Sequence, residues 1–379
     1  MAGTYARADV SGWGTVLSGR RTGRYRRGPR TVSRLLLSGV LAVALLVGAA
    51  PGGVATAAQA SWCRPVTLPV TLPVSLGGSS GPVSGTLCSP PAARVLQILI
   101  HGFSYNSSYW DVPYEPGTYS YVRRATDAGY ATLAVDRLGD GQSWHPPSVS
   151  VDLQSNVDAI HQVVRAVRAG AVGTSYARIV LVGHSYGSVT ALGVAGQYHD
   201  VDAVVASGWA SSADYAYAGV ALFPFLRPAV LEPRFAGSGL DPGYVAVEQD
   251  RRAVFLNPDH TDPHLVALNA VTLADTGTLA ELATLGLNSA GNMTGIGSLP
   301  AVRVPVLVIN GQRDPFFCGL LAGDCRSSAA LAASERAFFG SAATVEGVVV
   351  PQAGHDLNLD LSAPGAYGAM LDFVARHAG

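Results

Sequence analysis

The chain has 379 residues, with 25 basic residues, all Arg, against 26 Asp+Glu and a formal net charge of −1. The first 60 residues read as a leader; without them 17 Arg face 25 acids, a net of −8. That charge excludes a nucleic-acid binder and disfavours a polyanionic substrate.

Residues 1–34 carry eight Arg and one acid. An apolar stretch, Leu35 to Ala50, follows, and then a small-residue run ending in Ala58-Gln59-Ala60. A basic segment, an apolar segment and an A-x-A site predict a secretory signal peptide cleaved before Ser61. A retained membrane anchor is the alternative, but sixteen apolar residues are short for a span. The Arg pairs at 20–21 and 26–27 lack a good twin-arginine context, which favours the general secretory route. The exported chain is then Ser61–Gly379, long enough for one large α/β domain with an insertion. No stable membrane anchor remains after processing, and a monomer is expected.

All four cysteines, Cys63, Cys88, Cys318 and Cys325, lie in the exported part. An even count in an exported chain implies disulfides. Local pairing predicts Cys63–Cys88 and Cys318–Cys325. A metal site is disfavoured, because no C-x-x-C or adjacent His cluster occurs.

Val66 to Cys88 alternates apolar and small polar residues around Gly-Gly-Ser-Ser-Gly (77–81), which predicts an antiparallel hairpin. Val95 to Ile100 is an apolar strand running into His101-Gly102-Phe103. Tyr119 to Ala128 reads as a helix, and Ala131 to Val135 as a strand. Asp136-Arg137-Leu138-Gly139-Asp140-Gly141 then reads as a loop-shaping motif. Val151 to Ala169 has helical spacing, with Val157, Ile160, Val163, Val164 and Val167 on one face. Ile179 to Val182 is a strand, Ser188 to Tyr198 a helix, and Val201 to Ala206 a strand. From 209 to 300 the rhythm breaks into aromatic, Pro-rich and Ala/Leu-rich pieces, read as inserted helices and loops. Regular alternation resumes with strands Val302–Ile309 and Ala343–Val350 and helices Ala329–Phe339 and Pro364–His377. Strands alternating with helices imply a mostly parallel sheet covered on both faces. Ligands of such sheets sit at the carboxyl ends of the strands.

Between the Ile179 strand and its helix lies Gly183-His184-Ser185-Tyr186-Gly187, a G-x-S-x-G pentapeptide in strand–turn–helix context. A sharp turn there lifts the Ser185 hydroxyl to the sheet end, so Ser185 is the candidate nucleophile. A serine needs a base, and the base needs an orienting acid. Candidates must follow strands. Asp314, after the Ile309 strand, is the chosen acid, with Asp136 as runner-up. His355, after the Val350 strand, is the chosen base. Asp356 adjoins His355, too close in sequence to reach the far side of the same ring. The oxyanion donors are read as the backbone amides of Phe103 and Tyr186. Tyr105, Tyr109 and Trp110, beside the oxyanion loop, suggest an apolar or aromatic substrate pocket.

Together, His101-Gly102-Phe103, the 136–143 loop, Gly183 to Gly187, Asp314 and Gly354-His355 resemble secreted α/β-hydrolase-fold enzymes. The similarity is to the broad esterase/lipase-like group with a cap domain, over residues 92–208 and 301–379. The resemblance implies an eight-stranded, mostly parallel sheet, with residues 61–208 and 301–379 as core and 209–300 as a mainly helical lid. It also implies the chain order Ser185, Asp314, His355. Tyr186 and Ser188 depart from the group's commonest elbow, which has Met or Gln and Gly there. The expected activity is cofactor-free hydrolysis of a small or lipid-like carboxylic ester. A peptidase or amidase of the same fold is the alternative, then a cofactor-free haloperoxidase-like enzyme or acyltransferase, then a non-catalytic binding protein.

Overall fold

A computed structural model describes residues 62–290 and 299–379. The leader read from residues 1–60 lies outside the described residues. The chain opens with β1 (Cys63–Thr71) and β2 (Ser80–Cys88), antiparallel with Cys63 opposite Cys88. A disulfide joins that pair, and a second joins Cys318 to Cys325.

β3 (Val95–Ile100) follows, then α1 (Pro116–Tyr119), α2 (Tyr121–Asp127) and β4 (Ala131–Val135). The expected helix from Tyr119 is split because Ser120 is extended and caps α2, accepting from the Arg123 amide at 2.9 Å. α3 (Leu153–Arg168) starts with a capping box between Asp152 and Ser155 and buries the valine face predicted for it. β5 (Arg178–His184), α4 (Tyr186–Tyr198) and β6 (Ala203–Ser207) come next. After the insertion the chain forms β10 (Val306–Gly311), α8 (Ser328–Arg336), β11 (Val345–Val350) and α9 (Ala363–Ala378). β10 begins later than the expected Val302, just after Pro305, a residue with no amide N–H to give to a ladder.

These strands make one eight-stranded sheet in the order β1-β2-β4-β3-β5-β6-β10-β11. β1, β2 and β4 pair antiparallel, and the other pairs are parallel. This is the α/β-hydrolase fold. The residues of β3, β4, β6 and β10 are all buried, because helices cover both faces. Each buried Val, Leu or Ile contributes about 1.5–3 kcal/mol relative to exposure. After β4 the chain crosses to the other side of β3 to make β5. The order reverses there, and in sheets of this kind ligands bind in the crevice at the carboxyl ends of the strands flanking such a point.

The insertion contains α5 (Tyr215–Ala221), β7 (Leu226–Pro228), β8 (Tyr244–Val247), α6 (Pro263–Ala270), β9 (Gly277–Thr278) and α7 (Leu279–Ala290). β7, β8 and β9 form a separate antiparallel sheet, which the sequence reading of helices and loops did not include. The Ala/Leu-rich run from Leu265 is broken by β9. Thr278 and Glu281 restart the helix there by reciprocal bonds of 2.8 and 3.0 Å.

Candidate active site

Ser185 stands between β5 and α4 with φ 52° and ψ −117°, a backbone shape L residues rarely adopt. Its neighbours enforce the turn. A Cβ on Gly183 would lie 2.4 Å from the Gly187 carbonyl oxygen, and one on Gly187 would lie 2.2 Å from that of Ile100. The turn is pinned from β6, whose Ser207 carbonyl accepts from the Ser185 amide at 2.8 Å and the Ser188 hydroxyl at 2.9 Å. Ser188, one of the two unusual elbow residues, thus braces the elbow itself. The other, Tyr186, buries its ring under the Arg137 guanidinium, 4.7 Å from ring centroid to Cζ.

His355 follows β11 and is almost wholly buried. Its Nδ1 is 2.8 Å from Asp314 Oδ2. The other Asp314 oxygen accepts from the Phe316 and Phe317 amides at 2.8 and 3.1 Å. Asp314 therefore starts a turn and holds the imidazole at once. Burial pulls the His355 pKa down, but the Asp314 charge, its hydrogen bond and the Asp356 charge outweigh this and hold it above the ordinary value. Phe317 stacks on the imidazole at 5.6 Å between centroids, and Phe316 lies at 5.1 Å.

Ser185 and His355 line one cavity of about 190 Å³. Among the described residues no hydrogen bond yet joins the Ser185 hydroxyl to His355. Such contacts commonly tighten only when substrate is bound. Gly102 and Phe103 line the same cavity, and a Cβ on Gly102 would sit 3.2 Å from Ser185 Cβ. Tyr186 is the first residue of α4, so its amide has no partner within the helix. The Phe103 loop is fixed from behind by His101. Its Nδ1–H donates to the Gly102 carbonyl at 2.9 Å, and its Nε2 accepts from the Arg137 amide at 3.0 Å. Burial, then the Arg137 charge, push the His101 pKa well down, so this ring stays neutral. Asp136, the runner-up acid, instead accepts from the Ser107 and Gln142 amides at 2.8 and 2.9 Å and shapes its own loop.

Of the three aromatics expected in the pocket, only Tyr105 lines the cavity. Tyr109 and Trp110 are fully buried behind it, and Tyr109 stacks on His184 at 4.4 Å. They are core side chains, packed in one cluster with Tyr121 and Tyr367. The walls instead come from residues that the sequence reading did not select, including Trp209, Ala218, Leu222, Phe255, Leu282 and Phe316. Among the described residues Asp314 is the hydrogen-bond partner of the His355 ring, and Asp356 turns away to His184, with Oδ1 3.0 Å from Nε2. His184, His355 and Asp356 bring three possible metal donors within 4.8 Å of one another. Two of the ring nitrogens there are already hydrogen-bonded, His184 Nε2 to Asp356 and His355 Nδ1 to Asp314.

A model of the alpha/beta hydrolase family matches residues 97–368, well over half of the chain. The chain belongs to the alpha/beta hydrolase family. Solved structures similar to this family member include a monoacylglycerol lipase from Paleococcus ferrophilus, 17% identical with a TM-score of 0.51, covering 78% of this chain and 99% of that one. A thermophilic esterase from Thermogutta terrifontis is 18% identical with a TM-score of 0.50, covering 83% and 100%. A carboxylesterase from Bacillus subtilis is 15% identical with a TM-score of 0.52, covering 82% and 91%. At such identities the likeness extends to the fold. Comparison with curated proteins by sequence gives no match.

Proposed function

We propose that this hydrolase-family chain is an exported serine hydrolase that cleaves carboxylic esters with a small apolar acyl group. One observation carries the reading. A serine on a strained elbow and a histidine held by a buried aspartate open into one apolar cavity. His355 takes the Ser185 proton as Oγ attacks the ester carbonyl. Asp314 fixes the imidazole tautomer and stabilises the imidazolium. The Phe103 and Tyr186 amides receive the oxyanion. His355 then protonates the leaving alcohol, and water clears the acyl-enzyme by the reverse route.

The cavity size sets the acyl range. An apolar cavity of about 150 Å³ admits benzene, so about 190 Å³ suits a short or single-ring acyl group. Residues 209–300 act as a cap in this reading, supported by Ala218, Leu222, Phe223, Leu282 and Leu285 on the cavity wall. The leader reading and the two disulfides support export.

The test is hydrolysis of p-nitrophenyl esters from acetate to palmitate by the Ser61–Gly379 chain. Short esters turn over fastest, and Ser185→Ala abolishes turnover without changing the circular dichroism spectrum. A Ser185→Ala protein that still hydrolyses these esters sinks the reading.

A further inference from the structure

The insertion does more than roof the cavity. Ser104, one residue beyond the Phe103 amide, is fully buried and has φ 59°. A non-glycine residue in this left-handed region is strained and persists only where its surroundings hold it. Among the described residues, the bonds that hold it come from the insertion. The Arg252 Nη1 group donates to the Ser104 carbonyl at 3.0 Å and to its hydroxyl oxygen at 2.9 Å. The Asp275 amide donates to the same carbonyl at 2.9 Å.

Arg252 is itself unusual. It is fully buried, and among the described residues no carboxylate lies within ion-pair distance of it. Its Nε donates to the Asn269 carbonyl at 2.6 Å, and its guanidinium carbon lies 4.4 Å from the Tyr105 ring centroid. A buried cation without a paired anion costs several kcal/mol. Neutral donors could serve a carbonyl and a hydroxyl as well, so a staple alone does not account for the charge. Negative charge does develop next to this loop when the ester carbonyl is attacked. The same arginine also connects to the elbow residue His184. Asn269 Oδ1 is 2.6 Å from the Tyr105 hydroxyl, which also contacts Asp356, the partner of His184.

We propose that Arg252 is a positioning residue for the oxyanion loop, so that the insertion completes the active site rather than only covering it. This rests on the reading of Ser185 as nucleophile and the Phe103 amide as oxyanion donor. Arg252 acts through Ser104 by fixing where the Phe103 amide points, and it places a positive charge behind that loop.

The experiment compares wild type, Arg252→Met, Arg252→Lys and Ser104→Gly with a short p-nitrophenyl ester and with an alkyl boronic acid. The boronic acid mimics the tetrahedral anion on Ser185. Arg252→Met lowers kcat on the order of 100-fold, the scale of losing one oxyanion donor. KM stays within about threefold, and boronate affinity falls in parallel with kcat. Arg252→Lys recovers part of both. Should Arg252→Met fail to fold, Ser104→Gly carries the test. It keeps the left-handed backbone, removes the hydroxyl acceptor, and lowers kcat and boronate affinity together by about tenfold. Unchanged kcat and boronate affinity in the folded variants overturn the proposal, as does a loss of kcat that leaves boronate affinity intact. Ser185→Ala separates the two readings. If it is dead while the Arg252 variants are normal, only this inference fails. If it stays active, both fail.

Discussion

At the scale of single residues, the site rests on how one imidazole is held. His355 is walled by Phe255, Phe316 and Phe317, and burial alone would make it a weaker base. The Asp314 carboxylate reverses that. Activity therefore falls as pH drops through a value above the ordinary histidine pKa of 6.5, where His355 becomes protonated and can no longer accept from Ser185. Asp314→Asn removes the charge. The acid limb of the kcat/KM profile then moves to lower pH, and kcat drops on the order of 10⁴-fold, because the tautomer is no longer fixed. A pH–rate profile measures both effects, and an unmoved limb with near-normal kcat contradicts the role of Asp314. Ser185, Asp314 and His355 could be proposed from the sequence because each lies in the loop or turn after an apolar strand. Tyr109 and Trp110 misled, because an aromatic beside a loop does not reveal whether it faces cavity or core. Arg252 and Asn269 gave no signal, since Ser104 and Tyr105, which they hold, lie over 100 residues away in the chain.

At the scale of elements, the joints between core and insertion are polar and buried. Arg137, from the loop after β4, pairs with Glu281 of α7, and Asn156 of α3 donates to the same carboxylate at 3.1 Å. On the other side, Glu335 of α8 accepts from both the amide and the hydroxyl of Ser211, where the chain leaves β6 for α5. Burial raises the Glu335 pKa to about 7 against these bonds, which lower it. The sign follows from linkage. Between the ordinary value of 4.5 and about 7 the folded state binds a proton that the unfolded state has lost. Stability from this group is full at the acid end and is lost as pH rises through about 7, a change of about 3 kcal/mol. Urea titrations at pH 4.5, 6 and 8 detect it. Glu335→Gln flattens that dependence, and a wild-type stability that does not fall across the window argues against a protonated Glu335. Elements of the core were readable from periodicity and turn residues. The insertion was not, because its short pieces are fixed by contacts with the core. One local cue was present, the Thr278-x-x-Glu281 capping pattern that starts α7.

At the scale of the whole molecule, the parallel sheet converges its strand ends on one crevice, and the loops after β3, β5, β10 and β11 supply every member of the proposed machinery. That convergence is why the sequence discloses its fold. Local hydrophobic alternation is enough to set strand and helix order, and the order sets where loops meet. Much of the cavity wall was hidden for the same reason, since Ala218, Leu222, Phe255 and Leu282 belong to a segment that obeys no such alternation. The proposed mechanism requires that Ser185 become acylated during turnover. The most direct measurement is the intact mass of the Ser61–Gly379 chain quenched in acid during hydrolysis of a short ester, followed by peptide mapping. A single acyl group on the peptide containing Ser185, absent from Ser185→Ala and mirrored by fluorophosphonate labelling at the same residue, is the predicted result. Turnover with no acyl adduct, or with the adduct on another residue, would contradict it.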